Sequence, residues 1–308
     1  MILLPATAFT LDELTAVYNQ TRNDYLIPMP MNAGRLNEYI TLYDVDLSCS
    51  RVAVAGQNIV GLAMLGIRAH QSWITRLGVL PDGRRQGTGR ALVEALLEQA
   101  ASNGAPEVWL EVIKGNDPAY HLFRNYRFEP TRELLVGRRA PRATRNAAAF
   151  LAARKIHYLQ HEEVIELQCE RRERLNWLND VATMRNVRRL AASVFDDSEP
   201  VPLHHSTHLS GILVEFQDGS RGWVSYQATT LQLKRITVAV CRGDPAAVTA
   251  NLLEIVHRLH SAQDAIVENI PDDARWQGFR EAGYFEVFRR IEMVRPAESA
   301  GSSVANAQ

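Results

Sequence analysis

Apolar and polar positions recur along this chain with two periods, and the switches between them mark its elements. Thr10-Leu11-Asp12-Glu13 has the form of a capping box and predicts a helix running to about Arg22. Asn23 to Asn32, with Pro28 and Pro30, reads as a loop, and a second helix follows to about Tyr43. Strand signals come next at 51–55, 59–68 and 73–79, the first two joined by a turn at Gly56-Gln57-Asn58. The helical period returns after Pro81. Ala91, Leu92, Ala95, Leu96 and Ala100 form one stripe on a helix that begins near Gly87, and Asn103-Gly104 supplies a left-handed end. A strand at 107–112, a short helix opening at Asp117-Pro118 and a strand at 128–136 complete this unit.

From residue 208 the pattern repeats. Strands at 208–216 and 221–227 flank the hairpin signal Asp218-Gly219, and a strand follows at 231–240. Asp244-Pro245 opens a helix with a stripe of Val248, Leu252, Ile255, Val256 and Leu259. A strand at 265–270, a short helix at 274–282 and a strand at 284–294 follow. Leu122-Phe123-Arg124-Asn125-Tyr126-Arg127-Phe128 aligns with Gly278-Phe279-Arg280-Glu281-Ala282-Gly283-Tyr284 at a constant offset of 156, which predicts an internal duplication with one diverged copy. Between the copies, residues 138–189 carry 12 Lys/Arg and 6 Asp/Glu. Residues 147–153 are helix-prone, and Leu175, Leu178, Val181 and Ala182 give 171–190 helical spacing. The expected division is a first domain at 1–140, a helical connector with the opening helices of the second domain at 141–190, a second domain at 191–295, and a disordered polar tail at 296–308.

Composition narrows the function. Over 308 residues, 34 Lys+Arg balance 35 Asp+Glu, so holding nucleic-acid phosphates is not the chain's main task. The basic connector has no aromatic platform beside it and reads as a solvated helical face, so no nucleic-acid partner is expected. Cys49, Cys169 and Cys241 form no CxxC pair, which excludes a disulfide framework and a cysteine zinc site. No apolar run reaches the roughly 18 residues needed to span a bilayer. Met1-Ile2-Leu3-Leu4-Pro5 lacks the basic region of a signal peptide, so the expected place is the cytoplasm. His204, His205 and His208 have no acidic or cysteine partner at ligand spacing, and no metal is expected. His257 and His260, three apart on a helix, read as surface residues. No GxSxG elbow occurs, which disfavours a serine hydrolase.

The stretch that carries chemistry is Gly78-Val79-Leu80-Pro81-Asp82-Gly83-Arg84-Arg85-Gln86-Gly87-Thr88-Gly89-Arg90. A strand ends, a glycine-bearing turn follows and a helix begins. Successive N–H groups then converge at the positive end of a helix dipole, which suits a phosphate. Gly87 and Gly89 let a phosphate oxygen approach the main chain, and Arg84, Arg85 and Arg90 add positive charge. No lysine is present for a Walker loop, and the glycines come too late for a dinucleotide fingerprint.

The pattern V-x-P-x-x-R-x-x-G-x-G, read from Val79 to Gly89, resembles the pyrophosphate loop of the GCN5-related N-acetyltransferase (GNAT) superfamily. Asn116-Asp117-Pro118-Ala119-Tyr120-His121-Leu122-Phe123-Arg124-Asn125-Tyr126-Arg127-Phe128 resembles that family's N-x-x-A-x-x-L-Y-x-x-x-G-F segment, and the order of elements agrees. The strong likeness covers residues 1–140, and the chain as a whole resembles a tandem GNAT protein with a degenerate second copy. The resemblance implies an α/β (α+β) fold of two tandem domains, each a mixed, mostly antiparallel sheet flanked by helices. It implies acetyl-CoA as co-substrate and direct acyl transfer, in a ternary complex, to a primary amine of a small molecule or peptide. Backbone groups of Leu77 and Val79 would meet the pantetheine arm. Amides from Arg85 through Gln86, Gly87, Thr88 and Gly89 to Arg90 would hold the pyrophosphate, with Arg84 at the mouth and Asn116 on the pantetheine or phosphate side.

Two departures from the family pattern affect the chemistry. The usual tyrosine, a proton donor to the leaving thiolate, falls at Phe123; Tyr120 and Tyr126, three residues to either side, are the substitutes or else packing residues. The strand Trp73–Val79 carries no glutamate, which leaves Glu111 on the next strand as candidate base or as a carboxylate paired with an arginine. In the loop between the first two helices, Asp24 and Tyr25 are the candidates to meet a cationic acceptor. At the matching point of the second copy, Asp244 brings negative charge and Pro245 removes an N–H, so that half is expected not to bind CoA. It would serve instead as the partner in a pseudo-dimer within the chain, itself a monomer or homodimer. The rival reading is a non-catalytic acyl-CoA-binding sensor or scaffold.

Overall fold

The structure is a computed structural model that describes residues 1–142, 148–194 and 208–297. It divides into two compact units: residues 1–131 with the stretch from Ile291 onward, and residues 132–290. The units do not follow the linear division at 140 and 295. The first takes part of its sheet from beyond the second in sequence, whereas the second is one continuous stretch.

The first unit contains β1 (Ile2–Pro5), α1 (Leu11–Gln20), α2 (Ala33–Leu42), β2 (Val45–Ala55), β3 (Asn58–Arg68), β4 (Gln71–Val79), α3 (Thr88–Ser102), β5 (Glu107–Ile113) and α4 (Asp117–Asn125). Thr10 caps α1 as the sequence predicts: its hydroxyl accepts from the Glu13 amide at 3.2 Å, and its own amide donates to the Glu13 carboxylate at 2.8 Å. Asn32 caps α2 by accepting from the Arg35 amide at 2.8 Å. β1 to β4 pair antiparallel in sequence order, and β4 pairs parallel with β5. α3 lays Leu92, Val93, Leu96 and Ala100, all fully buried, onto Ala53, Ala63, Leu65 and Ile74 of the sheet. Cutting Leu96 back to alanine there would cost roughly 2–5 kcal/mol.

The second unit takes in most of β6 (Glu129–Arg139), then α5 (Ala148–Ala152), β7 (Ala153–Leu159), α6 (His161–Cys169), α7 (Val181–Val194), β8 (Ser210–Phe216), β9 (Arg221–Ala228), β10 (Gln232–Arg242), α8 (Pro245–Leu259), β11 (Asp264–Pro271), α9 (Ala274–Glu281) and the first half of β12 (Phe285–Arg295). Its strand order is β6-β11-β10-β9-β8-β7, while in the first unit the residues of β12 from Ile291 lie next to β5. Met293 of that strand is fully buried in the first unit's core.

The duplication is visible in packing. A Cβ added to Gly61 would fall 2.9 Å from the Gly78 carbonyl and 3.4 Å from both Leu92 and Thr88. One added to Gly222 would fall 2.8 Å from the Ala239 carbonyl, 2.8 Å from Val248 and 3.1 Å from Leu252. In both units a strand glycine lets the main helix press close onto the sheet.

Several elements differ from the sequence reading. β1 is a strand because its four residues pair with Arg51–Val54, which local pattern does not show. β7 and α6 lie in what reads as a connector, and both belong to the second unit. Residues 171–190 are not one helix: a 3-10 turn at Trp177–Asn179 precedes α7. His257 is not a surface residue. It is fully buried, with its Nε2 3.0 Å from the Tyr284 hydroxyl, because it continues the apolar side of α8 formed by Leu253 and Val256. His204 and His205, and the tail from residue 298, lie outside the described residues. No group of metal-binding side chains occurs, and no helix is long and apolar enough to cross a membrane, among the described residues.

Candidate functional site

The site begins where two strands part. β4 and β5 pair from Gln71–Glu107 to Ile74–Leu110, and the register stops there. Arg76 has a left-handed φ of 52° and bends β4 at that point. Beyond the bend the carbonyls of Leu77 and Val79 accept from side chains: Arg22 at 3.2 Å and Arg84 Nε at 3.1 Å.

Directly after β4 comes the start of α3. Arg85 and Gly87 take left-handed φ values of 60° and 85°, and Gly87 is an N-cap with no side-chain hydrogen bond to the helix. The first-turn amides of α3 therefore have no intrahelical or capping partner. A Cβ on Gly87 would meet nothing within 4 Å, and one on Gly89 would meet only Leu122 at 3.4 Å and Val79 at 3.7 Å. Packing alone does not demand glycine at 89. Arg85 and Arg90 are exposed beside these amides, Thr88 is buried beneath them, and Gln86 turns back to the Asp82 carbonyl at 2.7 Å. The cradle suits a diphosphate: open amides, a helix dipole and two exposed arginine side chains.

Asn116 caps α4, accepting from the Ala119 amide at 3.4 Å, and its Nδ2 donates to the Tyr25 hydroxyl at 3.1 Å. Asp24 is not open to a ligand amine. Both terminal nitrogens of Arg84 donate to its carboxylate, one at 2.7 Å, and the guanidinium holds the Asp24 carboxyl below its ordinary range. Arg84 is thus committed to Asp24 and to Val79.

Glu111 lies on β5 and accepts from the Trp73 indole at 2.8 Å. An aromatic wall adjoins it: Tyr39 stacks 6.1 Å from Trp73, and Tyr43 lies edge-on at 4.7 Å from Tyr39 and 5.8 Å from Trp73. The Tyr39 hydroxyl bonds Thr75 at 2.6 Å, and burial pushes its pKa well up. The Arg76 guanidinium lies 4.0 Å over the Tyr39 ring and donates to the Tyr18 hydroxyl at 2.9 Å. A carboxylate, a proton-bearing wall and a cation therefore surround the parted strands.

The tyrosines on α4 are placed differently. Tyr126 donates to Glu94 of α3 at 2.6 Å, and burial followed by that carboxylate push its pKa to about 12. Tyr120 packs against the core with its ring edge-on to His121. Phe123 is buried, edge-on to Phe128 at 5.6 Å, and takes part in the core. Hydrogen bonds tie Leu77, Val79, Asp24, Tyr25 and Asn116 together through Arg22 and Arg84, and Val79 lies beside Gly89 at the start of α3 with Gly87 and Thr88. Tyr126 is engaged elsewhere.

The second unit has the same frame without the opening. Asp244 caps α8 by accepting from the Ala247 amide at 2.8 Å, and Pro245 is the first helical residue. β10 and β11 part after Leu233–Ala265, but Asn176 and Asn179 donate to the carbonyls of Asn269 and Glu268 at 2.9 and 3.0 Å. A cleft of about 780 Å³ remains beside Trp223 and Cys241. Its half-buried arginines, Arg171 and Arg275, are already paired with Glu173 and Asp273.

Sequence reasoning missed Arg22, Tyr39, Thr75 and Arg76. Tyr39 and Tyr43 are spaced to share one helix face, a signal that was available. The bend at Arg76 has no signal, since a left-handed arginine cannot be told from an extended one by pattern.

Residues 14–128 match the acetyltransferase (GNAT) family. The chain is 31% identical over 88 residues to Acetyltransferase ECA0875 of Pectobacterium atrosepticum; the match covers 29% of this chain and 62% of that protein's length. Two solved structures share the fold along nearly the whole chain. A GCN5-related N-acetyltransferase from Sphaerobacter thermophilus superposes with a TM-score of 0.65 at 17% identity, covering 96% of this chain and 95% of that one. A tandem GNAT protein from the clavulanic acid biosynthesis pathway superposes with a TM-score of 0.62 at 14% identity, covering 97% and 98%.

Proposed function

Residues 14–128 match the acetyltransferase (GNAT) family, and from that likeness we propose that the chain transfers an acyl group, acetyl in the simplest case, from acyl-CoA to a primary amine of a small molecule or peptide. The observation that carries this reading is the uncapped start of α3, where Gly87 is left-handed and Gly89 has room that packing does not require. Those amides with Arg85 and Arg90 would hold the diphosphate, and Leu77, Val79 and Asn116 would face the pantetheine arm. Bound acyl-CoA supplies an activated acyl group as a thioester.

The chain must then deliver an uncharged amine. Glu111, hydrogen-bonded by the Trp73 indole, is the carboxylate nearest the parting of the strands and would take the amine's proton, directly or through water. Tyr39 and Arg76 would line the acceptor side, with the guanidinium offsetting negative charge as it develops. Residue 123 supplies no proton, and a thiol with an ordinary pKa of about 8.5 leaves acceptably as its anion. The second unit takes no part in cofactor binding, because Asp244 occupies its helix N-terminus. Buried Phe123 and the engaged Tyr126 favour one rival, a non-catalytic acyl-CoA sensor or scaffold.

Calorimetric titration with acetyl-CoA tests the reading: one equivalent per chain, abolished by Gly89→Glu. Release of CoA thiol across a panel of primary amines then separates enzyme from sensor. No binding to the wild type refutes both.

A further inference from the structure

The residues just after α1 reach across to the same groups that acyl-CoA would need. Arg22 donates to the Leu77 carbonyl at 3.2 Å, and its guanidinium lies 4.0 Å over the Tyr25 ring and 5.1 Å over the Tyr18 ring. Asp24 holds both terminal nitrogens of Arg84, whose Nε in turn donates to the Val79 carbonyl at 3.1 Å. Tyr25 accepts from Asn116 at 3.1 Å. In a stretch of four residues, Leu77, Val79, Arg84 and Asn116 are all engaged, and all of these residues belong to the first unit.

We infer that residues 22–25 form a strap closing the acyl-CoA groove, with the Asp24–Arg84 pair as its latch, so that acyl-CoA opens the strap and thereby frees the Asp24 carboxylate for a cationic acceptor. This rests on the acyl-CoA reading above. The latch suits reversible opening. The side chains of Arg84 and Asp24 are 40% and 53% exposed, and solvent screening keeps an ion pair so exposed within reach of a competing anion. A phosphate offers the Arg84 guanidinium a partner of higher charge. While the strap is closed, Asp24 spends its charge on Arg84 and has none to offer an amine. Binding is therefore ordered, with acyl-CoA first and acceptor second, and cofactor occupancy is what switches on recognition of the amine.

The test is titration with CoA itself, which binds without turnover, into wild type, Asp24→Asn and Tyr25→Phe. Asp24 is exposed, and urea melts confirm that each variant is folded as the wild type is. Asp24→Asn loosens the latch and tightens the CoA dissociation constant roughly two- to five-fold, and Tyr25→Phe tightens it less. In steady-state assays Asp24→Asn raises KM for the amine while CoA binds more tightly. Hydrogen exchange gives an independent reading: adding CoA to the wild type speeds exchange of amides 23–25 and slows that of amides 85–90. If the wild type binds CoA and Asp24→Asn binds equally or more weakly, or if CoA protects amides 23–25, the strap is refuted and the acyl-CoA reading stands. If neither protein binds CoA, the reading beneath it falls and the strap with it.

Discussion

Gly89→Ala separates what the fold needs from what a ligand needs. Gly89 has an ordinary helical backbone, and its added methyl would sit 3.4 Å from Leu122 and 3.7 Å from Val79, at van der Waals distance. Folding therefore loses nothing to collision. It gains the helix preference of alanine over glycine, up to roughly 0.5–1 kcal/mol and less in a first turn. Binding moves the other way. The methyl stands where a phosphate oxygen would approach the α3 amides, and losing one charge-assisted hydrogen bond costs about 1.5–3 kcal/mol, or roughly 10- to 100-fold in affinity. Urea denaturation followed by far-ultraviolet circular dichroism reads the first effect, and calorimetry with CoA reads the second. The variant is expected to melt at equal or higher urea and to bind at least ten-fold more weakly. Gly78→Ala is the contrast: its methyl would fall 2.4 Å from the Thr21 hydroxyl, and the fold should lose roughly 1–3 kcal/mol. If Gly89→Ala melts at lower urea, the position is packed rather than kept open. If its CoA affinity is unchanged, the α3 amides do not hold the diphosphate.

Glu111→Gln should lower kcat at least about 100-fold while leaving CoA affinity intact; unchanged turnover would dismiss Glu111 as the base. Burial lowers the pKa of His257 to about 3, against about 6.5 in the unfolded chain, so as pH falls below 6.5 the unfolded state takes the proton first. Stability should drop by about 1.4 kcal/mol per pH unit between pH 6 and 4, and a His257→Gln variant with the same slope in urea melts would refute this. Asp244→Ala should cost about 1 kcal/mol through the lost cap. CoA stoichiometry should stay at one per chain in that variant; a second equivalent would show that Asp244 alone silences the second copy.

The parts of the site that could be read from sequence are those set by local rules. The strand ending at Val79, the helix beginning just after Gly87 and the short helix opening at Asp117-Pro118 are each fixed within a few residues, and each stands as read. What could not be read depends on partners far away. Asp24 was a free carboxylate in the sequence; its partner Arg84 is 60 positions on. Tyr126 gave no sign that Glu94 would hold it, and Phe123 none that its ring would join the core. The two copies were legible through their repeated motifs, but β1 and β7 were not, since short outer strands take their register from neighbours. His257 shows the same limit, because its stripe gives a helix face but not how deeply that face is covered.

The return of the last strand to the first unit bears on how the chain is made. A ribosome that has released residues 1–131 has released α1 to α4, the turn at Gly87 and every described strand of the first unit except the one from Ile291. Synthesis of the whole second unit must pass before Met293 is available to fill the waiting core. The first unit is thus the last to be finished. The second copy must be made before the strand that closes the first unit's sheet.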